Sequence, residues 1–273
     1  AENNELSKQL ACYVNAYPRR TLIEHFTTLA CVNCPYGDAT LRAVVSGRED
    51  YVWVAHHVGY REDELTVKDS YNVSGINGVS SAPMAAFDRT VLPFSNGSSA
   101  PGGGIGYMNP SEGKAALLPC FNYCAETPAF VIVDINAAFD AATRTLTATV
   151  SGERNGLLNL FYPEANLTVQ LVEDAVETIG KQTGSGSQIH DHVYRVSLTP
   201  SLGEPIEWQG DAYSKSFTAA VPETWNEGNL RVVAFVNRPY KNSDCTNIQV
   251  LNANDLRLST LDGIDNLRID PPA

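Results

Sequence analysis

Thr21-Leu22-Ile23-Glu24-His25-Phe26-Thr27, followed shortly by Cys31-Val32-Asn33-Cys34-Pro35, decides the reading of this chain. The first run is apolar and β-branched and predicts a strand over Leu22–Thr28. Beyond it, Ala39, Leu41, Ala43 and Val44 recur at helical spacing and predict a helix over Pro35–Val45. Pro35 suits a first helical turn, where its missing N–H would have had no partner. A helix start leaves N–H groups unpaired and carries partial positive charge, and both favour a thiolate on a cysteine placed there. Val32 and Asn33 add no positive charge, so any lowering of a cysteine pKa must come from the helix terminus and its neighbours.

Strand, CxxC and helix in this order are how a thioredoxin-like domain presents a redox dithiol. In that reading Cys31 is the attacking thiol, and Cys34 resolves the mixed disulfide. The competing reading is an inert local disulfide, or two thiols in a scaffold without redox activity. Pro83 bears on the choice. Ser81-Ala82-Pro83-Met84 opens a later strand, and thioredoxin-like folds place a cis-proline there, beside the CxxC. Only about one X–Pro bond in twenty is cis, yet the upstream CxxC favours cis here, with Ala82 and Pro83 shaping a substrate groove.

Glu24 and His25 alternate on the entering strand, so one of them should face the dithiol and could relay a proton to Cys34. The bland alternative is one solvated and one hydrogen-bonded core residue. Tyr51–Val58 predicts a second buried strand whose end places His56 or His57 near the motif. Arg61-Glu62-Asp63-Glu64-Leu65 predicts the start of a charged helix, and Ser111–Ala125 predicts another helix containing Pro119. Gly102-Gly103-Gly104-Ile105-Gly106 follows Pro101 rather than a strand and leads into no Lys-Ser/Thr. The Asn96–Gly106 stretch therefore reads as a flexible loop, not a phosphate cradle.

After Thr127-Pro128 the pattern changes. Phe130–Ile135, Thr145–Val150, Leu167–Val172, His192–Leu198, Ser216–Val221, Leu230–Val236 and Ile248–Leu251 alternate with period 2. Turns such as Ser151-Gly152, Asn155-Gly156 and Gly184-Ser185-Gly186 separate them, with no strong helical pattern between. This grammar predicts a β-sandwich. His190-Asp191-His192 would put two imidazoles on one strand face, but no third ligand is apparent. A hydrogen-bonded structural role is favoured, and neither a metal nor another cofactor is expected.

The 273 residues suit two domains of ordinary size. A net charge of −12 argues against nucleic acid and against polybasic attachment to anionic lipid. No apolar run approaches the roughly 18 residues that span a bilayer. Ala1 opens the sequence without a charged-then-apolar leader, so a processed product is expected. The even cysteine count is compatible with an oxidising compartment. Beyond the CxxC, Cys12, Cys120, Cys124 and Cys245 allow three pairings if all are oxidised.

Taken together these segments resemble the Omp28-related outer membrane proteins of Bacteroidetes. The N-terminal half carries the match in Leu22–Thr27, Cys31–Pro35 and His57-Val58-Gly59. The C-terminal half carries it in Leu171–Asp174, His190–Arg195, Leu202–Ile206 and Leu230–Val236. The resemblance implies a thioredoxin-like domain over residues 1–127 and an immunoglobulin-like β-sandwich over 128–258, with a tail over 259–273. It further implies export to the cell envelope, with membrane contact only through a lipid anchor outside this sequence.

The leading expectation is an envelope thiol–disulfide oxidoreductase-like protein, acting on protein thiols or disulfides through Cys31 and Cys34. Ala30 stands before Cys31 where such enzymes commonly carry Trp. That departure motivates the alternative, a non-catalytic surface binding or assembly protein with an envelope protein partner.

Overall fold

The structure is a computed structural model that describes residues 16–92, 99–105, 109–184 and 189–258. Its N-terminal half is built from β1 (Thr21–Thr27), α1 (Cys34–Val44), β2 (Tyr51–His57), α2 (Asp69–Ile76), β3 (Met84–Phe87), β4 (Gly103–Gly104) and α3 (Pro110–Ala125). β1 and β2 run parallel, joined by α1. β3 is antiparallel to β1, and β4 is antiparallel to β3. α1 and α3 cover one face of these strands. Ile23, Trp53, Ala85 and Phe87 from the sheet pack there against Leu41, Val44 and Phe121 from the helices.

The second half adds β5 (Asp134–Asp140), β6 (Thr145–Glu153), α4 (Gly156–Phe161), β7 (Asn166–Glu173), β8 (Val176–Glu177), β9 (Ile189–His190), β10 (Val193–Ser197), β11 (Glu204–Pro205), β12 (Ala212–Ala220), β13 (Leu230–Asn237) and β14 (Val250–Arg257). β12, β6 and β5 form a small antiparallel sheet. It lies over the face of β7 and β13 that carries Leu167, Val169, Leu171, Val232, Ala234 and Val236. Leu146, Ala148 and Val150 of β6 fill the space between. Alternation along β6, β7 and β13 drives this layer, because a period-2 strand shows one apolar face to its partner sheet.

The halves share one sheet. Its order is β14-β13-β7-β10-β2-β1-β3-β4, with β11 beside β7. β10 joins β2 in parallel at Val193 and Ala55, and the Ala55 N–H donates to the His192 carbonyl at 2.8 Å. Leu22, Val52 and Val54 from the first half pack with Val172, Tyr194, Val233 and Phe235 from the second. Among the described residues no helix is long and apolar enough to cross a membrane.

Several expectations need correction. Arg61–Leu65 is not helical, because the Asp63 carboxylate accepts from the Leu65 and Leu29 backbone N–H groups and closes a turn instead. The described part of the Asn96–Gly106 loop includes β4, an edge strand on β3, and Ile105 beside it is buried. Residues 96–98 and Gly106 lie outside the described residues, as do Cys12 and the tail 259–273.

The strand expected over Phe130–Ile135 begins at Asp134. Before it, the Val131 and Val133 carbonyls accept from the Asn252 and Asn254 side chains of β14. Asn155-Gly156, expected as a turn, opens α4, with the Asn155 side chain accepting from the Leu157 N–H.

Candidate redox site

Cys34 is the first residue of α1, and Cys31 lies three residues before it. The two form a disulfide. Pro35 follows inside the first turn, no acidic residue occupies that turn, and Asn33 makes no side-chain cap bond. The positive end of α1 is therefore left to the sulfur atoms.

The Ala82–Pro83 bond is cis. It places the Ala82 carbonyl 3.5 Å from Cys31 Sγ. Gly37 explains how closely this loop approaches α1, since a Cβ there would come within 2.6 Å of Pro83 Cβ. Cys31, Cys34, Ala82 and Pro83 thus lie together. Neither sulfur is open to solvent, with Cys31 only 4% and Cys34 2% exposed. Val32 and Tyr36, flanking them, are about half exposed at 52% and 49%.

The cover comes from the far half of the chain. Between β8 and β9, residues 178–184 cross over the Leu29–Val32 segment. The Thr183 N–H donates to the Leu29 carbonyl at 2.8 Å. Gln182 Nε2 donates to the Leu29 and Cys31 carbonyls at 3.3 and 3.0 Å, and Gly184 packs on Val32. Lys181 pairs with Glu64 at 2.5 Å and anchors this strap to the first half.

Beneath Cys34 lies a cleft of about 60 Å³. His25, Asp38, His57, Gln182, His190 and Asp191 are among its walls. Burial depresses the His25 pKa to about 4, with partial relief from Asp38. His190 is also lowered, first by burial and then by His57. Asp38 pairs with Arg42 at 2.7 Å, and Arg42 reaches Asp191 at 3.0 Å, tying α1 to the β9–β10 turn.

Glu24 is not at this site. It faces the opposite side of β1, where Arg89 binds both its oxygens, at 3.0 and 2.7 Å, and Asn77 donates at 2.9 Å. Burial opposes its ionised form, but Arg89 outweighs burial and holds the pKa below the usual carboxylate value. Its bonds commit it to the fold, so of the two candidate relay residues only His25 lies beside the dithiol. The β2 pair divides in the same way. His57 lines the cleft, while His56 hydrogen-bonds Ser70 and stacks on Phe26 across the sheet.

His190 and His192 do not share a strand face. β9 ends at His190, and His192 adopts a φ of 61° before β10 starts. His192 stacks on Trp53 and His190 meets His57 edge-on. Among the described residues no group of three His, Cys, Asp or Glu side chains is arranged to hold a metal. Cys120, Cys124 and Cys245 are free thiols.

Sequence reasoning missed Asp38, Asp63, Gln182 and the strap. Only the Gly184-Ser185-Gly186 turn signal marked the strap's position. Nothing local identified Leu29 as its partner.

No curated protein matches the sequence. HBP35 of Porphyromonas gingivalis has a similar fold, with a TM-score of 0.70 over 94% of this chain and 81% of its own, at 18% identity. A domain of the outer membrane lipoprotein Omp28 from Porphyromonas gingivalis overlaps 48% of this chain and 89% of its own, also at 18% identity. Its TM-score of 0.34 is too low to carry an argument. The sequence profile of the outer membrane protein Omp28 family matches residues 69–255, well over half of the chain. The chain belongs to the Omp28 family and is an exported, outer membrane-associated protein.

Proposed function

We propose that this protein is a cell-envelope thiol–disulfide exchange protein, with a thioredoxin-like unit over residues 1–127 and an immunoglobulin-like sandwich over 128–258. The observation that carries the reading is the disulfide at the α1 N-terminus, with Cys31 Sγ 3.5 Å from the Ala82 carbonyl ahead of cis-Pro83. A helix N-terminus stabilises the thiolate that must form or leave in exchange. In the reduced protein the Cys31 thiolate attacks a substrate disulfide, and one substrate cysteine leaves as a thiolate. Cys34 then attacks Cys31 Sγ, which releases the second substrate thiolate and restores the Cys31–Cys34 bond. The substrates are protein disulfides in the envelope, and the half-exposed Val32 and Tyr36 give them an apolar contact beside Cys31.

Cys34→Ser tests the reading. With no resolving thiol, the reduced variant should accumulate a mixed disulfide with a disulfide-bonded test protein, whereas Cys31→Ser should not. Equal behaviour of the two variants would remove the assignment.

A second reading, binding or assembly on a scaffold without redox turnover, is favoured by the 4% exposure of Cys31 beneath the strap. It predicts that replacing both cysteines by Ser leaves partner binding intact.

A further inference from the structure

His57 and Asp63 are buried together beside the cleft under Cys34. His57 Nδ1 lies 2.9 Å from Asp63 Oδ2, and the same carboxylate accepts the Leu29 N–H at 2.7 Å and the Leu65 N–H at 2.8 Å. Burial works against its charge, but the bonds from His57 and these backbone groups outweigh burial and hold the pKa down to about 2. An ionised carboxylate only accepts, so Nδ1 carries the proton of the neutral ring and Nε2 presents a lone pair. Nε2 is buried and has no hydrogen-bond partner, on a ring that lines the cleft shared with Cys34. A base oriented by a buried carboxylate, on a ring that shares a cleft with a thiol, is the arrangement that activates nucleophiles.

We infer that the His57–Asp63 pair is the proton acceptor for Cys34 when the mixed disulfide on Cys31 is resolved. The inference rests on the redox reading above and adds the group that makes Cys34 a nucleophile. Cys34–SH loses its proton to His57 Nε2 at the cleft whose wall the two residues share. The Cys34 thiolate attacks Cys31 Sγ, and the bond from Cys31 to the substrate sulfur breaks. The substrate leaves as a thiolate, takes up a proton, and His57 returns its own to solvent. Asp63 balances the imidazolium in the interval.

His25 lines the same cleft but has no hydrogen-bonded carboxylate, so burial holds it neutral. The titratable and charged groups around His57 are Asp63 in the next turn, His190 of β9, Asp191 beyond it, His25 of β1, Asp38 and Cys34 of α1 and the neighbouring His56.

The test separates the two half-reactions in His57→Gln. Attack by Cys31, followed in a Cys34→Ser background, should keep its rate. Resolution by Cys34 at pH 7 should slow by about 10²–10⁴-fold. That deficit should shrink as pH rises and hydroxide in bulk solvent takes over the deprotonation of Cys34. A uniform loss at every pH, or equal slowing of both steps, would overturn the inference.

A second measurement depends on neither turnover nor a replaced histidine. The His57 ring, titrated by NMR in the reduced wild type and in Cys34→Ser, should differ between the two proteins. Identical curves would overturn the pairing. A coupled titration without any exchange activity would instead keep the pairing and remove the redox reading.

Discussion

Gln182 Nε2 donates to the Cys31 carbonyl at 3.0 Å, across 151 residues of sequence. The half of the chain that carries the three-stranded sheet therefore also covers the Cys31–Cys34 pair of the other half. Losing the bonds to Leu29 and Cys31 in Gln182→Ala should cost about 1 kcal/mol of stability. The more telling effect is kinetic. Reduction of Cys31–Cys34 by dithiothreitol, followed by thiol labelling, should speed up severalfold. An unchanged rate would show that the strap does not guard the disulfide.

The buried pair across the sheet has a structural role. Arg89 and Glu24 are each about 1% exposed, and Arg89 also lies over Phe235 of the other half, 5.0 Å from its ring centre. Arg89→Met leaves Glu24 buried without its cationic partner and should cost about 3–5 kcal/mol, measured by urea denaturation. A loss under 1 kcal/mol would show that the pair does not hold the fold at this point.

Acid should weaken the fold in a defined window. Burial lowers both His25 and His56 to about 4, against about 6.5 in the unfolded chain. Below 6.5 the unfolded chain takes up protons that the folded chain refuses, so stability falls as pH drops from about 6.5 toward 4. Each histidine contributes on the order of 3 kcal/mol over that window. Chemical denaturation at pH 7 and pH 4.5 should show the loss, and His25→Gln should flatten the slope. A flat wild-type profile would contradict the burial of these rings.

Close packing of α1 on the cis-proline loop gives a further prediction. In Gly37→Ala the new Cβ would meet Pro83, so the loop or helix must shift, at about 1–3 kcal/mol. Thermal melting measures this cost. A variant as stable as wild type would mean that the loop yields freely.

What could be read in the sequence was local. β1, α1 and the cis-proline were legible because apolar spacing, the CxxC and Pro83 each act within a few residues. So were most strands of the second half, whose alternation is a one-strand property. The closing elements were not. Asp63 sat in a charged run that reads as helix, until its carboxylate is seen to be occupied by the Leu29 and Leu65 N–H groups and by His57. His192 read as strand because its φ of 61° is set by tertiary contacts. Its N–H donates to Asp174 and its carbonyl accepts from Ala55. The same holds for Glu24 and His25, whose alternation was clear but whose assignment to faces depended on where Arg89 lay.

The most direct test of the central claim is the equilibrium reduction potential of Cys31–Cys34, titrated against a glutathione buffer in the full chain. A dithiol that works in exchange should fall between about −270 and −120 mV. A potential below about −300 mV is that of a disulfide kept for structure, and would contradict the account.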